Sequence, residues 1–318
     1  MRTAIAILMF ACVAGTAAAA EKAPPPWAFA VNPPGTQPAP DDGTLRRVPG
    51  SPVAFTLTQI RDLFTVPDWH PDGHPPMPEI VMHGAKPAVF ACGYCHLPNG
   101  QGRPENSSLS GLPAEYIVQQ VADFRSGARK SSEPASLPVN LMIAVAKAVS
   151  EADLKVAAEY FSALRPKPWI RVVESNTVPK THVAGWMLVA SEPGATEPIG
   201  QRIIEMPEDL ERTELRDAAS GFVAYVPAGS IRKGEGLVTT GGAGKTIPCT
   251  ICHGADLRGL GPVPALAGRS PSYIVRQLYD MRHGVRNGTW TELMKPVVAQ
   301  LSEEDMVAIA AYTASRAP

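Results

Sequence analysis

Two stretches organise this chain: Cys92-Gly93-Tyr94-Cys95-His96 and Cys249-Thr250-Ile251-Cys252-His253. Both read C-x-x-C-H, and working outward from them the chain repeats itself. His96 to Tyr116 is 20 residues, and so is His253 to Tyr273. Tyr116-Ile117-Val118-Gln119-Gln120 matches Tyr273-Ile274-Val275-Arg276-Gln277. Phe124-Arg125-Ser126-Gly127-Ala128-Arg129 matches Met281-Arg282-His283-Gly284-Val285-Arg286. Ser150-Glu151-Ala152-Asp153 matches Ser302-Glu303-Glu304-Asp305. Upstream, Gly84 and Gly241 each stand 8 residues before the first cysteine of their motif. Two copies of one small domain are therefore expected, near 76–165 and 230–316.

Each copy reads as helical. Ile117, Val118, Val121 and Phe124 share one helical face, as do Ile274, Val275, Leu278 and Met281. Ser150 and Ser302 stand as N-caps before apolar runs, with Asp153 and Asp305 three positions on. Those last helices should end near Leu164 and Arg316. The fold class expected is mainly α, with two tandem helical domains and a short β-containing insert between them.

The 318 residues suffice for two domains. A formal charge of −1 gives no sign of a nucleic-acid partner. The N-terminus reads as an export signal: Arg2, an apolar run from Ala4 to Val13, and the small residues Ala17 to Ala20. Cleavage is expected near Ala20, which places the mature chain in the periplasm. Cys12 is read as part of the signal, because Phe10 and Ala11 make a poor lipobox. No later stretch is long and apolar enough to span a bilayer, so a multi-pass membrane protein is excluded and membrane association is at most peripheral.

Four cysteines remain after the signal, all of them in the two motifs. In an exported protein they invite two disulfides, and paired C-x-x-C motifs invite a zinc site. Neither explains a His directly after each pair. C-x-x-C-H is the attachment signature of c-type haem. Two thiols three positions apart reach the two vinyl groups on one porphyrin edge, and the next residue places an imidazole under the iron. Aromatics make up only 6% of the chain, and a buried porphyrin would supply the missing apolar core.

Each half thus resembles a class I cytochrome c domain, and the whole resembles a two-haem bacterial cytochrome c. The residues that carry the resemblance are the attachment motifs, Leu109-Ser110-Gly111, Pro264-Ala265-Leu266-Ala267-Gly268, the Tyr helix, a methionine and the capped last helix. The resemblance implies two covalent haems c on Cys92/Cys95 and Cys249/Cys252, with His and Met as axial ligands. His96 and His253 are the proximal candidates. Met142 and Met294 are the sixth-ligand candidates, since each lies 8 residues before its repeat's capping serine. Met281 aligns with Phe124 and Met306 with Leu154, so both read as core. His70, His74 and His83 precede the first motif and are rival ligands to Met142. In this family a proline carbonyl accepts the proximal histidine's hydrogen bond. Pro264 fits; the first repeat has Ser107, whose carbonyl can serve.

The implied activity is electron transfer between a donor, such as a dehydrogenase or quinol-oxidising complex, and an acceptor, such as a terminal oxidase or another cytochrome. No catalytic residue is implied. The alternative is a haem enzyme, such as a dihaem peroxidase or a thiosulfate-oxidising cytochrome, which needs an exchangeable axial site.

The remaining segments are 21–50, 51–75 and 166–229. The first holds eight prolines and reads as an extended, poorly ordered arm leading into a first domain over 51–165. Phe55 to Phe64 should pack on that domain. The 166–229 insert does not repeat, and Trp169 to Val173, Trp186 to Val189 and Phe222 to Val226 read as strands. A second domain follows over 230–318. Glu192 to Asp217 holds eight acidic residues against three Arg, either a docking patch or an ordinary solvated face.

Overall fold

The computed structural model describes residues 23–318; the export signal expected before Glu21 lies outside the described residues. Three short helices lead into the first repeat: α1 (Leu57–Ile60), α2 (Glu79–Met82) and α3 (Cys92–His96). Its main helices are α4 (Ala114–Ser126), α5 (Leu137–Ala148) and α6 (Glu151–Ala163). The insert contributes β1 (Ile170–Glu174), β2 (Thr177–Pro179), β3 (Thr181–Ala184), β4 (Met187–Ala190), β5 (Thr196–Pro198), β6 (Ile204–Pro207), α7 (Leu210–Glu214) and β7 (Phe222–Val226). The second repeat follows with α8 (Ser230–Thr240), α9 (Thr250–His253), α10 (Pro271–Arg282), α11 (Lys295–Val298) and α12 (Glu303–Ser315). The molecule is mainly helical, with two helical domains and a β insert between them.

Local chemistry sets the helix ends. Gly127 takes a left-handed φ of 81° and stops α4. Ser270 caps α10 through the Tyr273 N–H, and Pro271 occupies its first turn. Gly84 and Gly241, aligned in sequence, are both left-handed, at φ 66° and 74°. A side chain at either would meet backbone at once, at Val89 O and Thr246 O respectively. The last helices end as their sequences predict, at caps Leu164 and Arg316.

Ser302 and Asp305 form a full capping box on α12. The Asp305 carboxylate also receives Lys233 of α8 at 3.2 Å, and Lys245. Burial opposes its ionisation, but hydrogen bonds from Lys245, Ser302 and Lys233 hold it well below the usual carboxylate range. A depressed folded pKa stabilises above the unfolded value of about 3.9 and is lost as pH falls below it. Asp305→Ala should therefore cost about 2 kcal/mol at pH 7. That cost should shrink as the pH falls below about 4, in urea melts of the second repeat.

The repeats differ in their first helix. α8 runs three turns and crosses α12, so closely that a Cβ on Gly234 would collide with the Ala308 carbonyl. In the first repeat the matching helix α2 is a single turn. Residues 51–75 fill the difference. Trp69, Ile60 and Val48 pack with Leu215 of the insert, while Val66 packs with Ala91 and Tyr94 beside the first attachment motif.

The three expected strands correspond to β1, β4 and β7, with shifts of about one residue at β1 and β4; β2, β3, β5 and β6, of three or four residues each, were not expected. β1 pairs parallel with β7, and β6 pairs antiparallel with β7. β2–β5 and β3–β4 are separate antiparallel pairs. The insert also reaches the first motif. The Arg216 guanidinium lies 3.7 Å from the Tyr94 ring centroid and donates to Tyr94 O at 2.9 Å.

The proline-rich arm departs from expectation. Ala28 and Phe29 are buried in the second repeat's core, with Phe29 edge-on to Tyr279 at 5.5 Å. Arg276 donates to Ala28 O at 2.8 Å, and Asn32 accepts from Trp186 N at 2.9 Å. Burial of Trp27-Ala28-Phe29 offsets the cost of ordering a segment whose prolines leave it little freedom to lose.

Candidate functional site

The two attachment motifs sit in matching frames. α3 and α9 are short turns that end on His96 and His253. The next residue breaks away at φ 63°, ψ 155° in Leu97 and φ 84°, ψ 152° in Gly254. That region belongs to glycine, so the first repeat holds a leucine in strained backbone at the exit from its histidine. The chain then loops back. Gly102 N–H donates to His96 O and Gly259 N–H to His253 O, both at 2.9 Å.

Both imidazoles are fixed in one tautomer. His96 Nδ1 lies 2.8 Å from Ser107 O, and His253 Nδ1 lies 2.7 Å from Pro264 O. A carbonyl only accepts, so Nδ1 carries the proton and Nε2 keeps a free lone pair. Burial pushes both imidazoles down, which keeps them neutral and able to ligate. The expected carbonyl partners are thus the ones found, Ser107 included.

None of the four motif cysteines is joined in a disulfide. Burial pushes Cys92 up to about 12 and Cys249 up to about 11. The pairs lie in different repeats, and no cluster of three or more metal-binding side chains occurs among the described residues. Two C-x-x-C pairs spaced for c-type haem attachment are what the chain presents.

Met142 lies inside α5, against the first repeat's core. Met294 lies between a 3-10 turn over Thr289–Leu293 and α11, against the second core. Their sequence positions match; their backbones do not. Met306 is fully buried, and Met281 packs on the same core. Two of the three rival histidines have other side-chain partners, while His83 stands at the C-cap of α2. His70 Nε2 is 2.8 Å from the buried Asp217 carboxylate. His74 Nε2 is 3.1 Å from Asp68. Both line an open cleft of about 790 Å³ between residues 67–74, the 98–101 loop and the insert, and none of the four cysteines lines it. His182 approaches Ser191 at 3.3 Å, and His283 stacks on Tyr279 at 4.0 Å. The acidic run of the insert is largely engaged. Glu205 and Asp217 are buried, Glu197 pairs with Arg202, and Glu208 pairs with Arg171. Four of the eight acids are thus buried or paired within the insert, so the run is not one continuous solvated face.

Sequence reasoning passed over the interface between the repeats. Arg129 and Arg286, aligned in sequence, form an isolated bridge about a local pseudo-twofold axis. Arg129 donates to Tyr273 Oη at 2.9 Å, and Arg286 to Tyr116 Oη at 2.9 Å. Gln120 Oε1 and Gln277 Oε1 each accept from both arginines. Burial alone would raise the Tyr273 phenol; the Arg129 and Arg286 charges pull it below the ordinary range. The signal was available in sequence: Tyr, Gln and Arg recur at the same positions in both copies.

No family model matches the chain. Among curated relatives, it is 27% identical over 237 residues to a thiosulfate dehydrogenase electron acceptor of Thiomonas intermedia, covering 73% of this chain and 81% of the relative. It is 35% identical over 138 residues to cytochrome c4 of Stutzerimonas stutzeri, covering 38% of this chain and 64% of that protein. It is 41% identical over 90 residues to cytochrome c-554(548) of Halomonas halodenitrificans, covering 28% of this chain and 99% of that protein. The chain belongs to the dihaem cytochrome c4/c-552-like family. Members of that family are electron-transfer proteins, and this cytochrome's role is electron transfer rather than catalysis. Among the described residues no helix of this cytochrome is long and apolar enough to cross a membrane.

Proposed function

We propose that the chain is a periplasmic electron carrier with one haem c on Cys92 and Cys95 and a second on Cys249 and Cys252. When bound, each group supplies a one-electron ferric/ferrous couple. The residues present fit it. Each motif offers two thiols three positions apart and an imidazole whose Nε2 lone pair is free. Arg269 and Arg286 are buried, and each leaves its Nε atom without a hydrogen-bond acceptor. Carboxylates of a bound macrocycle would be fitting acceptors for such groups.

His96 and His253, oriented by Ser107 and Pro264, would each offer Nε2 to the iron. Met142 and Met294 would supply the second ligand, a thioether sulfur that favours a higher potential than histidine would. The two groups together would let the chain take up and pass on single electrons. The likeness to the Thiomonas thiosulfate dehydrogenase electron acceptor supports a dehydrogenase as donor. An oxidase or another cytochrome would then take the electrons onward.

The single observation that carries this reading is the duplicated motif with its His-to-carbonyl bond at 2.8 and 2.7 Å. A pyridine haemochrome assay against protein concentration tests it. Two haems per chain are expected; one or none overturns the reading. N-terminal sequencing of the exported chain should start near Glu21, and an acyl glycerol on Cys12 would refute that placement.

A further inference from the structure

The loop that carries the His96 acceptor is gripped from the other repeat. Arg269 Nη1 donates to Ser108 O at 3.1 Å and to Ser108 Oγ at 2.7 Å. Its Nη2 donates to Ser110 O at 2.9 Å. Arg269 is only 7% exposed. Ser107 O, which accepts the His96 Nδ1–H, thus belongs to a loop held by a buried side chain of the second repeat.

The grip runs one way. Corresponding residues of the two repeats lie 157 positions apart through this region, as Cys92 to Cys249 and Tyr116 to Tyr273 show. Arg269 therefore corresponds to Leu112, which has no donor. Ser107 corresponds to Pro264, which has no hydroxyl. Both loops also close internally, Gly111 N–H donating to Phe161 O and Gly268 N–H to Thr313 O, each at 3.0 Å, so the arginine fork is what the first loop has and the second lacks.

We propose that Arg269 is a positioning residue for His96: its fork fixes the loop that presents the Ser107 carbonyl, and so makes the first centre's potential depend on the second repeat. This rests on the haem reading above. The hydrogen bond from Nδ1 adds electron density to the ring, strengthens Nε2 as a ligand and favours ferric iron. Loosening the loop weakens that bond and shifts the first centre towards ferrous. The guanidinium charge acts in the opposite sense, since a buried cation itself favours the reduced state. The informative variant therefore keeps the charge and removes the fork, which is Arg269→Lys.

The experiment uses the full holoprotein with its haem count measured on the same sample. In Arg269→Lys, the first centre's reduction equilibrium should move about tenfold towards ferrous relative to the second, 59 mV for a one-electron couple. Deuterium exchange of the His96 Nδ1–H, followed by NMR in the ferrous protein, should speed up about tenfold while the His253 Nδ1–H keeps its rate. Arg269→Leu, which also removes the charge, should give the same exchange result with a smaller or reversed potential shift. Potentials that move together, or an unchanged His96 ring-proton exchange, would overturn the proposal. A haem count other than two would overturn the functional reading instead.

Discussion

Met142→Ala should remove about half of the near-infrared sulfur-to-iron charge-transfer absorption of the oxidised protein, and Met294→Ala the other half. Both haems should stay attached, because Cys92, Cys95, Cys249 and Cys252 hold them independently of the sixth ligand. A methyl side chain offers iron no donor, so each variant should show one low-spin and one high-spin centre, the latter with a lowered potential. The methionines stand on unlike backbones, one within α5 and one at a 3-10 to α11 junction. If Met142→Ala leaves the spectrum unchanged, the ligand is elsewhere and His70, His74 and His83 return as candidates. If the wild-type protein already holds a high-spin haem, the enzyme reading moves ahead.

The second large effect concerns two glycines of α8 that differ by two positions. A Cβ on Gly234 meets the Ala308 carbonyl and Tyr312, whereas a Cβ on Gly236 meets nothing within 4 Å. Neither has a left-handed φ, so backbone freedom is not the issue at either site. Gly234→Ala should drive α8 off α12 and cost about 3 kcal/mol, an overpacking penalty against backbone that cannot step aside. Gly236→Ala should stabilise by about 1 kcal/mol, the ordinary helix preference for alanine. Guanidinium melts that follow the second repeat separate the two. Equal effects of the two substitutions would show that the helix crossing is looser than described.

The sequence made the repeat, the attachment residues and the capped last helices legible, because each is a local pattern occurring twice. Ser302 with Asp305 needs only three positions to declare itself, and Gly84 with Gly241 only a fixed offset. The carbonyl partners of His96 and His253 followed from family resemblance and lie 11 residues on in both copies. What could not be read depends on distant partners. Trp27-Ala28-Phe29 is too short for any periodicity, and its receiving surface begins some 140 residues later, at Ile170, Val172 and Val178. Strands of three or four residues, such as β2 and β5, offer no alternation to recognise. Glu205 looked like one acid in an acidic run. Instead it is buried and caps α10 through the Ser272 N–H and hydroxyl, so burial raises its carboxyl while those hydrogen bonds oppose the rise.

The buried Ala28 and Phe29 also impose an order of events on synthesis. A chain emerges N-terminus first, so this segment waits for partners in the insert, from Ile170 on, and for the second repeat's core helices, more than two hundred residues later. The first repeat can collapse on its own cluster of side chains during that interval. The second cannot complete its interior until an early piece of chain is threaded back to it. Its final closure is therefore a long-range, slow step by the general relation between contact separation and rate. It also follows that the two repeats are not interchangeable parts: a fragment beginning at Ser230 would carry both ends of its own helices and still lack part of its interior.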